Sequence, residues 1–532
     1  MHTHAMTTDQ PTTDVHHLEA QRRANRDAVA AMGVNPYGQR TPDIISLAAA
    51  RSLHDPKADQ HHADHSKDDN FVDARPIAKI AGRVVLRRDT GGLIWFNLRD
   101  HSGDIQLAVS KRDADGDSFN IAKLTDLGDV ILAQGRVMKT RAGEVTLWCD
   151  TFTLAAKSLV TPPDKHAGLQ DPELRYRHRY VDLYANPETI STFFLRSALI
   201  ARARRMLDAR GYLEVETPML QTLAGGAAAR PFMTHMNALD ISLFLRIAPE
   251  LYLKRLLVAG FPRVYEINRN FRNEGLDRNH NPEFTMLEAY EAFGDVHTMM
   301  DLTESLTREL ATLTALRNAN HDAPEDSLPT PEELRLPFAD TQIDYGSPFL
   351  RIPYAQLFEK ALGFPMSDTA RARKEVASRR LKHEGLDDVL VINELFEHVA
   401  EPTLDLTRPT FITDYPSAIS PLTRPKPDNP ALADRADLFI AGIEIAPHYT
   451  ELNDPDVQAE KFQQQLAGAD DEESTFRTFD HDFIHALKVG MPPAGGMGLG
   501  IDRLVMILAN QKSIRDAILF PLLRPLPPDA PA

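Results

Sequence analysis

The chain has 532 residues, 42% of them hydrophobic and 25% charged, an ordinary globular composition with room for about three domains of ~150 residues, which confines disorder to local stretches. Fifty-nine Lys and Arg against 76 Asp and Glu give a net charge of −17, so a nucleic-acid partner has to be met by local basic patches rather than by a general field. The lone Cys149 excludes a disulfide framework and a Cys-rich zinc site, no apolar run approaches the ~20 residues that span a bilayer, and MHTHAMTTDQ is not laid out as a signal peptide. A cytoplasmic protein with no membrane partner is expected.

In chain order, the first dozen residues are polar and read as loose, and LEAQRRANRDAVAAMG reads as one helix stopped by Gly33. Arg22, Arg23 and Arg26 cluster on it, a pattern that by itself suits a solvated face. The run DPKADQHHADHSKDD reads as a linker, and its His61, His62 and His65 as solvated, because no stiff element fixes them for a metal. A near-match to a phosphate loop from Gly33 to Thr41 carries Gln39 in place of the lysine and follows a helix end, so it is a turn. Residues 1–70 are thus a helix and a flexible linker.

Over residues 71–156 the texture changes to short alternating runs: IAGRVVLRR, LIWFNLRD, DIQLAVS, DVILAQGRVMKT and EVTLWCDTF. Strands of this kind joined by tight turns suggest a small closed barrel, with the five-stranded OB-fold the familiar candidate. Trp95 and Phe96 adjoin on one strand and must point to opposite faces. One belongs to the core; the other is a plug or a platform on which a base stacks.

A connector rich in proline and charge, 157–190, precedes a large mixed domain over 191–532, making the chain an α+β multidomain protein. There Leu195, Leu199, Ala203 and Leu207 stripe a helix from Thr192 to Arg210, Gly211 ends it, and Pro218 closes an extended segment. A second helical region lies around 295–315, and HDAPEDSLPTPEELRLP reads as an insertion loop within 317–335.

The segment RVYEINRNFRNEGLDRNHNPEFTMLEAYEAF inverts the usual alternation. Glu266, Asn268, Asn270 and Arg272 share one strand face, and Phe284, Met286, Glu288 and Tyr290 share another. Such a hairpin is either the floor of a polar pocket or a solvated face laced with ion pairs. In RADLFIAGIEIAPHYTELNDP, Asp437 and Glu444 stand near strand ends with Glu451 beyond them, as acids do where Mg²⁺ takes carboxylates and substrate phosphates, or where they are merely solvated. PPAGGMGLGIDRLVMIL runs a glycine-rich strand into a helix with Arg503 in its first turn, where backbone amides and the guanidinium favour an anion.

These segments share their order and nearly their wording with a known class. ETP ending at Pro218 resembles motif 1 of the class II aminoacyl-tRNA synthetases, FRNE (271–274) with HNPEF (280–284) resembles motif 2, and GLGIDR ending at Arg503 resembles motif 3. Class I signatures are absent. DKHAGLQDPELRYRHRYVDL, GGAAARPFMTH, LRIAPELYLKRL, INRNFRNEG and TELNDP are similar to the lysyl-tRNA synthetase family in particular. The likeness spans the chain from the N-terminal helix to the end, and is weakest at 317–335 and in the His-rich stretch.

The resemblance implies an anticodon-binding OB barrel, a catalytic domain built on an antiparallel sheet flanked by helices, and a homodimer formed through motif 1. It implies ATP-dependent activation of L-lysine to lysyl-adenylate and transfer to the 3′ end of tRNA(Lys), with release of AMP and diphosphate and up to three Mg²⁺ ions per site. Arg272 would grip the α-phosphate and stabilise the charge developing there. Phe284 would stack under adenine with Arg503 on its other face, while Glu274, His280, Asn281 and Gly500 hold the nucleotide. Asp437 and Glu444 would bind Mg²⁺; the family usually has glutamate at 437, so the shorter acid would reach the ion through water. A buried substrate ammonium demands carboxylates, and Glu288 and Glu451, with Tyr290 and Tyr449, are the matching positions. Gly226 and Glu250 would take the α-amino group, and Gly498 would keep the wall small. In the barrel, Trp95 matches an aromatic that stacks an anticodon base, Gln106 and Glu144 match base-reading positions, and Arg83 would meet phosphate or base. The Arg22, Arg23 and Arg26 cluster becomes a tRNA-backbone contact.

One departure stands out. The family pattern N-x-[FY]-[ST]-E is here Pro447-His448-Tyr449-Thr450-Glu451. Proline has neither a side-chain amide nor a backbone N–H, so the asparagine's hydrogen bond to lysine is lost or is supplied by His448. A lysyltransferase acting on elongation factor P would lack the barrel at 77–154, and an aspartyl- or asparaginyl-tRNA synthetase would need a cationic or amide-reading pocket in place of Glu288 and Glu451. A degenerate RNA-binding relative would not keep Arg272, Glu274, Glu444 and Arg503.

Overall fold

A computed structural model describes residues 14–68, 71–163, 169–227, 229–319, 329–330, 332–467 and 479–526. The chain forms two compact units, residues 1–191 and 192–532. The polar first dozen residues and the middle of the Pro-rich segment lie outside the described residues.

In the first unit, helix α1 (Asp14–Ala31) gives way to Gly33 at φ +77°, a left-handed position suited to glycine. Its arginines do not form one open basic patch. Arg22 is buried and donates to the carbonyls of Leu127 and Ser158 at 2.8 and 3.1 Å, while Arg23 and Arg26 pair with Glu19 and Asp27. After α2 (Leu47–Ser52), the His-rich stretch is not a loop but α3 (Pro56–His65): Asp55 caps it by accepting from the Lys57 amide, and Pro56 occupies its first turn. The start signal outweighed the polar composition. His65 meets Asp68 and His61 stacks on Phe71, and among the described residues no three His, Cys, Asp or Glu side chains converge as a metal site.

Strands β1 (Ile77–Asp89), β2 (Leu93–Asp100), β3 (Gly103–Ser110), β4 (Val130–Lys139) and β5 (Val145–Ala156) close a barrel in the order β1-β2-β3-β5-β4, with α4 (Ser118–Leu124) between β3 and β4. Strict alternation puts Ile80, Ile94, Phe96, Leu107 and Leu147 inside. Phe96 stacks on Phe152 in the core, which turns Trp95 outward. Two short helices, α5 (Pro172–Arg177) and α6 (Arg179–Ala185), follow the barrel.

Helix α7 (Pro187–Ala209) leads into the second unit, with Leu195, Leu199, Ala203 and Leu207 buried as the stripe requires. Next come β6 (Leu213–Glu214), β7 (Leu220–Gln221), β8 (Met233–Met236), β9 (Ile241–Leu245), α8 (Glu250–Val258), β10 (Arg263–Phe271), β11 (Glu283–Ala292) and α9 (Val296–Ala319). The end of the expected insertion loop is not loop: β12 (Arg335–Phe338) forms a hairpin with β13 (Thr341–Asp344). The remaining elements are β14 (Leu350–Pro353), α10 (Tyr354–Leu362), α11 (Thr369–Ser378), α12 (Asp388–Leu395), β15 (Thr410–Thr413), β16 (Arg435–Ile440), β17 (Ile443–Thr450), α13 (Pro455–Ala467), α14 (His481–Gly490), β18 (Ala494–Gly500) and α15 (Ile501–Leu508).

Eight strands form one sheet in the order β14-β15-β16-β17-β18-β11-β10-β6. Its centre is antiparallel, and only the short edge pairs β14–β15 and β6–β10 are parallel. Tyr265, Leu287, Leu438 and Leu499 on one face pack with Leu199 of α7, Leu306 of α9 and Val505 of α15 in the main core. The opposite parity is left for a polar floor.

Candidate active site

Strand register assembles that floor. Glu266 faces Glu288, Asn268 faces Met286 and Asn270 faces Phe284 across β10 and β11. Across β11 and β18, Glu288 faces Gly498 and Tyr290 faces Gly496, which in turn faces Tyr449 on β17. The expected polar hairpin face is therefore the base of a pocket and not a solvated surface: Glu266 and Glu288 are only 2% and 4% exposed.

A cavity of about 350 Å³ on this floor is lined by Gly226, Glu250, Glu288, Tyr290, Tyr449 and Gly498. Burial, and then the Glu250 charge, push Glu288 up to about 8 against the pull of the Tyr290 hydroxyl, Arg246 and Arg272. Tyr290 donates to Glu288 at 3.2 Å. Glu451 is fully buried beside the floor; burial raises its carboxyl despite Lys254, and its Oε1 has no hydrogen-bond partner among the described residues. A buried acceptor left in that state costs on the order of 1–3 kcal/mol and is suited to a cationic donor. Gly226 has φ +87°, and a β-carbon there would press on Glu250 Cβ at 3.2 Å, so both the backbone and the space call for glycine. A β-carbon at Gly498 would meet Met286 Cε at 2.4 Å.

An adjoining cleft of about 130 Å³ is lined by Arg272, Glu274, His280, Asn281, Phe284, Glu444, Gly500 and Arg503, and Arg272, Met286, Glu444 and Pro447 border both spaces. The Arg272 guanidinium lies 5.2 Å from the Phe284 ring centre, and its buried Nε has no partner among the described residues. Arg503 donates to the carbonyl of Glu444 at 2.8 Å and meets His280 Nε2 at 2.9 Å, while His280 Nδ1 is held by Asp277. Asn281 is buried, donates to the Glu283 carbonyl and leaves its Oδ1 unpartnered.

Asp437 departs from expectation. It stands mid-strand and buried, not at a strand end, and both its oxygens are taken by Arg435 at 3.0 and 2.6 Å. Glu444 lies at the cleft with its outer part exposed, and desolvation by the surrounding protein, then the Asp437 carboxylate, raise its pKa against Arg503, Arg435 and Arg272. His448 cannot stand in for the missing asparagine. Its side chain is on the other side of the sheet, between the Ala436 carbonyl at 3.0 Å and Thr303 Oγ1 at 2.8 Å, and burial lowers its pKa to about 4.

Several residues escaped the sequence reading. Lys254 is buried against Glu250 and Glu451. Arg246 is buried and ties Glu266 at 2.7 Å to Thr217, beside Pro218. Asp502 accepts from the Thr285 amide and pairs with Arg196, joining α15, β11 and α7. The spacing of Glu250 and Lys254, four apart on a helix, and of Arg435 and Asp437, two apart on a strand, were the available signals.

On the barrel, Trp95 is half-buried and meets Trp148 edge-on at 6.4 Å, with Arg88 over its ring at 5.8 Å. Gln106 lies beside Thr146, whose hydroxyl donates to it at 2.8 Å, and Glu144 is exposed at the start of the same strand region. The outer face thus carries Trp95, Gln106 and Trp148 on neighbouring strands. Arg83 is engaged elsewhere, donating to the Gly128 carbonyl at 2.7 Å and lying 4.5 Å over Tyr184.

Comparison with known proteins agrees with both units. Residues 78–155 match the family described as OB-fold nucleic acid binding domain, and residues 171–524 match tRNA synthetases class II (D, K and N). The lysine–tRNA ligase of Carboxydothermus hydrogenoformans is 45% identical over 93% of this chain and 95% of its own length. Those of Pelotomaculum thermopropionicum and Ectopseudomonas mendocina are 44% and 47% identical, over 96% and 86% of the chain and 96% and 88% of their own lengths. A polar sheet floor with motif 2 and motif 3 residues around one cleft, together with a family match over residues 171–524, makes the chain a member of the class II tRNA synthetases.

Proposed function

We infer that the chain activates L-lysine with ATP and joins it to tRNA(Lys). The observation that carries this reading is a cavity bounded by Glu250, Glu288 and Tyr290 that shares Arg272 with a second cleft lined by Phe284, His280 and Arg503. Glu288 and Tyr290 in the cavity, with Glu451 buried behind them, receive the side-chain ammonium, and Glu250 with the backbone at Gly226 receives the α-amino group. The substrate carboxylate is thereby turned toward Arg272. In the cleft, Phe284 and Arg503 sandwich the base, with Glu274, His280, Asn281 and the Gly500 backbone around the nucleotide.

A carboxylate oxygen of lysine bonds to the α-phosphorus as the bond to diphosphate breaks, giving lysyl-adenylate. The terminal ribose hydroxyl of the tRNA then attacks the lysyl carbonyl, loses its proton, and AMP leaves. Arg272, with an unpartnered Nε, is suited to the negative charge that grows on phosphate oxygens in the first step. Most of the rate comes from holding the reacting atoms together.

The donor set fits Mg²⁺, a hard cation that takes carboxylate oxygens. Glu444 makes no side-chain hydrogen bond among the described residues and would hold it directly, whereas Asp437, committed to Arg435, would act through water. Bound there, the ion would neutralise the triphosphate. Trp95, with Gln106 and Glu144 near it, supports anticodon reading on the barrel's outer face. Arg83 would have to leave the Gly128 carbonyl and the Tyr184 ring to meet tRNA. A homodimer through the motif 1 region and a cytosolic setting complete the proposal; no described helix is long and apolar enough to cross a membrane.

Lysine-dependent ATP–diphosphate exchange, compared across the standard amino acids, tests the reading. Exchange with lysine alone is expected. Exchange driven by another amino acid, or by none, would overturn it.

A further inference from the structure

Lys254 is a buried charged group beside the cavity to which the reaction assigns nothing. It is fully buried one helical turn beyond Glu250 on α8, and its Nζ lies 2.5 Å from Glu250 Oε1 and 2.5 Å from Glu451 Oε2. Burial alone would pull its pKa down, but the two carboxylates overcome that and keep it an ammonium. Glu250 and Glu451 are also the acceptors assigned to opposite ends of the substrate, the α-amino group and the side-chain ammonium. Neither Lys254 nor Glu451 lines the cavity itself, so Lys254 acts through Glu250 in the lining and through Glu451 behind the floor.

We propose that Lys254 is a specificity-determining positioning residue: its ammonium fixes the spacing between Glu250 and Glu451 and so sets the length of diamino acid the cavity accepts. The inference rests on the reading of the cavity as a lysine site. Charge supports it. Lys254 pairs with both Glu250 and Glu451, so neither carboxylate stands as an uncompensated buried charge before the diamino acid arrives. Without Lys254, two like charges would share a dry site; they would separate or one would take up a proton, and either change alters the match to the substrate. On its other side, Glu451 Oε1 occupies the space that a β-carbon at residue 496 would fill, so glycine there leaves room for the carboxylate.

The experiment uses the full-length chain and its Lys254→Gln and Lys254→Arg variants, with L-lysine and the one-methylene-shorter L-ornithine as amino acids in ATP–diphosphate exchange. A methylene is worth roughly 10- to 200-fold in discrimination. Both variants are expected to raise the lysine KM about tenfold or more and to narrow the lysine-over-ornithine ratio of kcat/KM by about tenfold, while the ATP KM stays within about twofold of the parent. An unchanged ratio, or ATP and lysine KM values rising together, would overturn the proposal. Loss of the folded state in both variants, read by thermal melting, would make Lys254 a core strut and overturn it too. Failure of the underlying reading looks different: the parent chain itself would show no lysine-dependent exchange.

Discussion

Gly496 and Glu451 stand so close that a β-carbon on the glycine would fall 2.0 Å from Glu451 Oε1, and 2.5 Å from Cε1 of Tyr290. Both neighbours are buried and held, Glu451 by Lys254 and Tyr290 by Glu288. Gly496→Ala must therefore displace an assigned ligand of the substrate ammonium. Overpacking of this kind costs about 1–3 kcal/mol, so kcat/KM for lysine should fall roughly 5- to 150-fold, with a smaller change in the ATP KM. Steady-state exchange kinetics check this; an alanine variant with parental lysine kinetics would remove Glu451 from the site.

Lysine binding should strengthen as pH rises. Glu288, ordinarily near 4.5, stands at about 8 because it is buried and faces the Glu250 charge. At pH 6 it holds a proton that an incoming ammonium has to displace; by pH 9 it is ionised. The lysine KM should fall about tenfold or more across that window. The ligand-free protein runs the other way. A carboxyl whose pKa is raised by folding contributes stability below its ordinary value and loses it as pH passes the raised one, so the melting temperature without lysine should drop between about pH 5 and 8. A flat KM profile contradicts the assignment of Glu288.

Glu444→Gln and Asp437→Asn should separate two roles that look alike in the sequence. Removing the Glu444 charge is expected to raise the Mg²⁺ concentration needed for half-maximal exchange more than about tenfold and to leave melting nearly unchanged. Asp437→Asn strips the partly buried Arg435 of its carboxylate partner, leaving it the Ile419 carbonyl and the Ser420 hydroxyl, which costs on the order of 1–3 kcal/mol of stability, and moves the Mg²⁺ requirement less. Equal Mg²⁺ shifts in the two variants would return Asp437 to direct coordination.

Trp95→Ala is expected to raise the KM for tRNA in aminoacylation roughly 5- to 150-fold, the range of one lost base stack, with lysine–ATP exchange untouched. Trp148→Ala should give part of the same effect, since its ring buttresses Trp95 edge-on. Filter binding of the tRNA provides an independent reading. Parental tRNA affinity in both variants would move the anticodon contact elsewhere.

Pro447 faces Asp437 across β16 and β17 and borders both cavities, and with His448 turned to the other side nothing adjacent in sequence replaces the family asparagine. Pro447→Asn should lower the lysine KM by about tenfold, the worth of one hydrogen bond involving a charged group. Equal KM values in the two proteins would sink the idea that the proline weakens binding.

Local periodicity was enough to place Glu288, Tyr290, Asn268 and Asn270 on facing strand faces and to set Trp95 against Phe96, because side chains alternate along any strand regardless of what it packs on. It also gave five barrel strands and the α7 stripe. Tertiary structure alone decided which partners those faces meet. That Asp437 is spent on Arg435, that Lys254 joins Glu250 to a carboxylate nearly two hundred residues on, and that Arg22 is buried against two carbonyls all depend on register and packing between distant segments. The His-rich stretch shows the converse: its cap at Asp55 and its first-turn Pro56 were legible locally, but polar composition carries no signal about the buried contact of Ala58 that makes a short helix worth forming. Sequence determined the faces and the chemistry available on them; the fold determined which charges are neutralised from within and which are left for substrate.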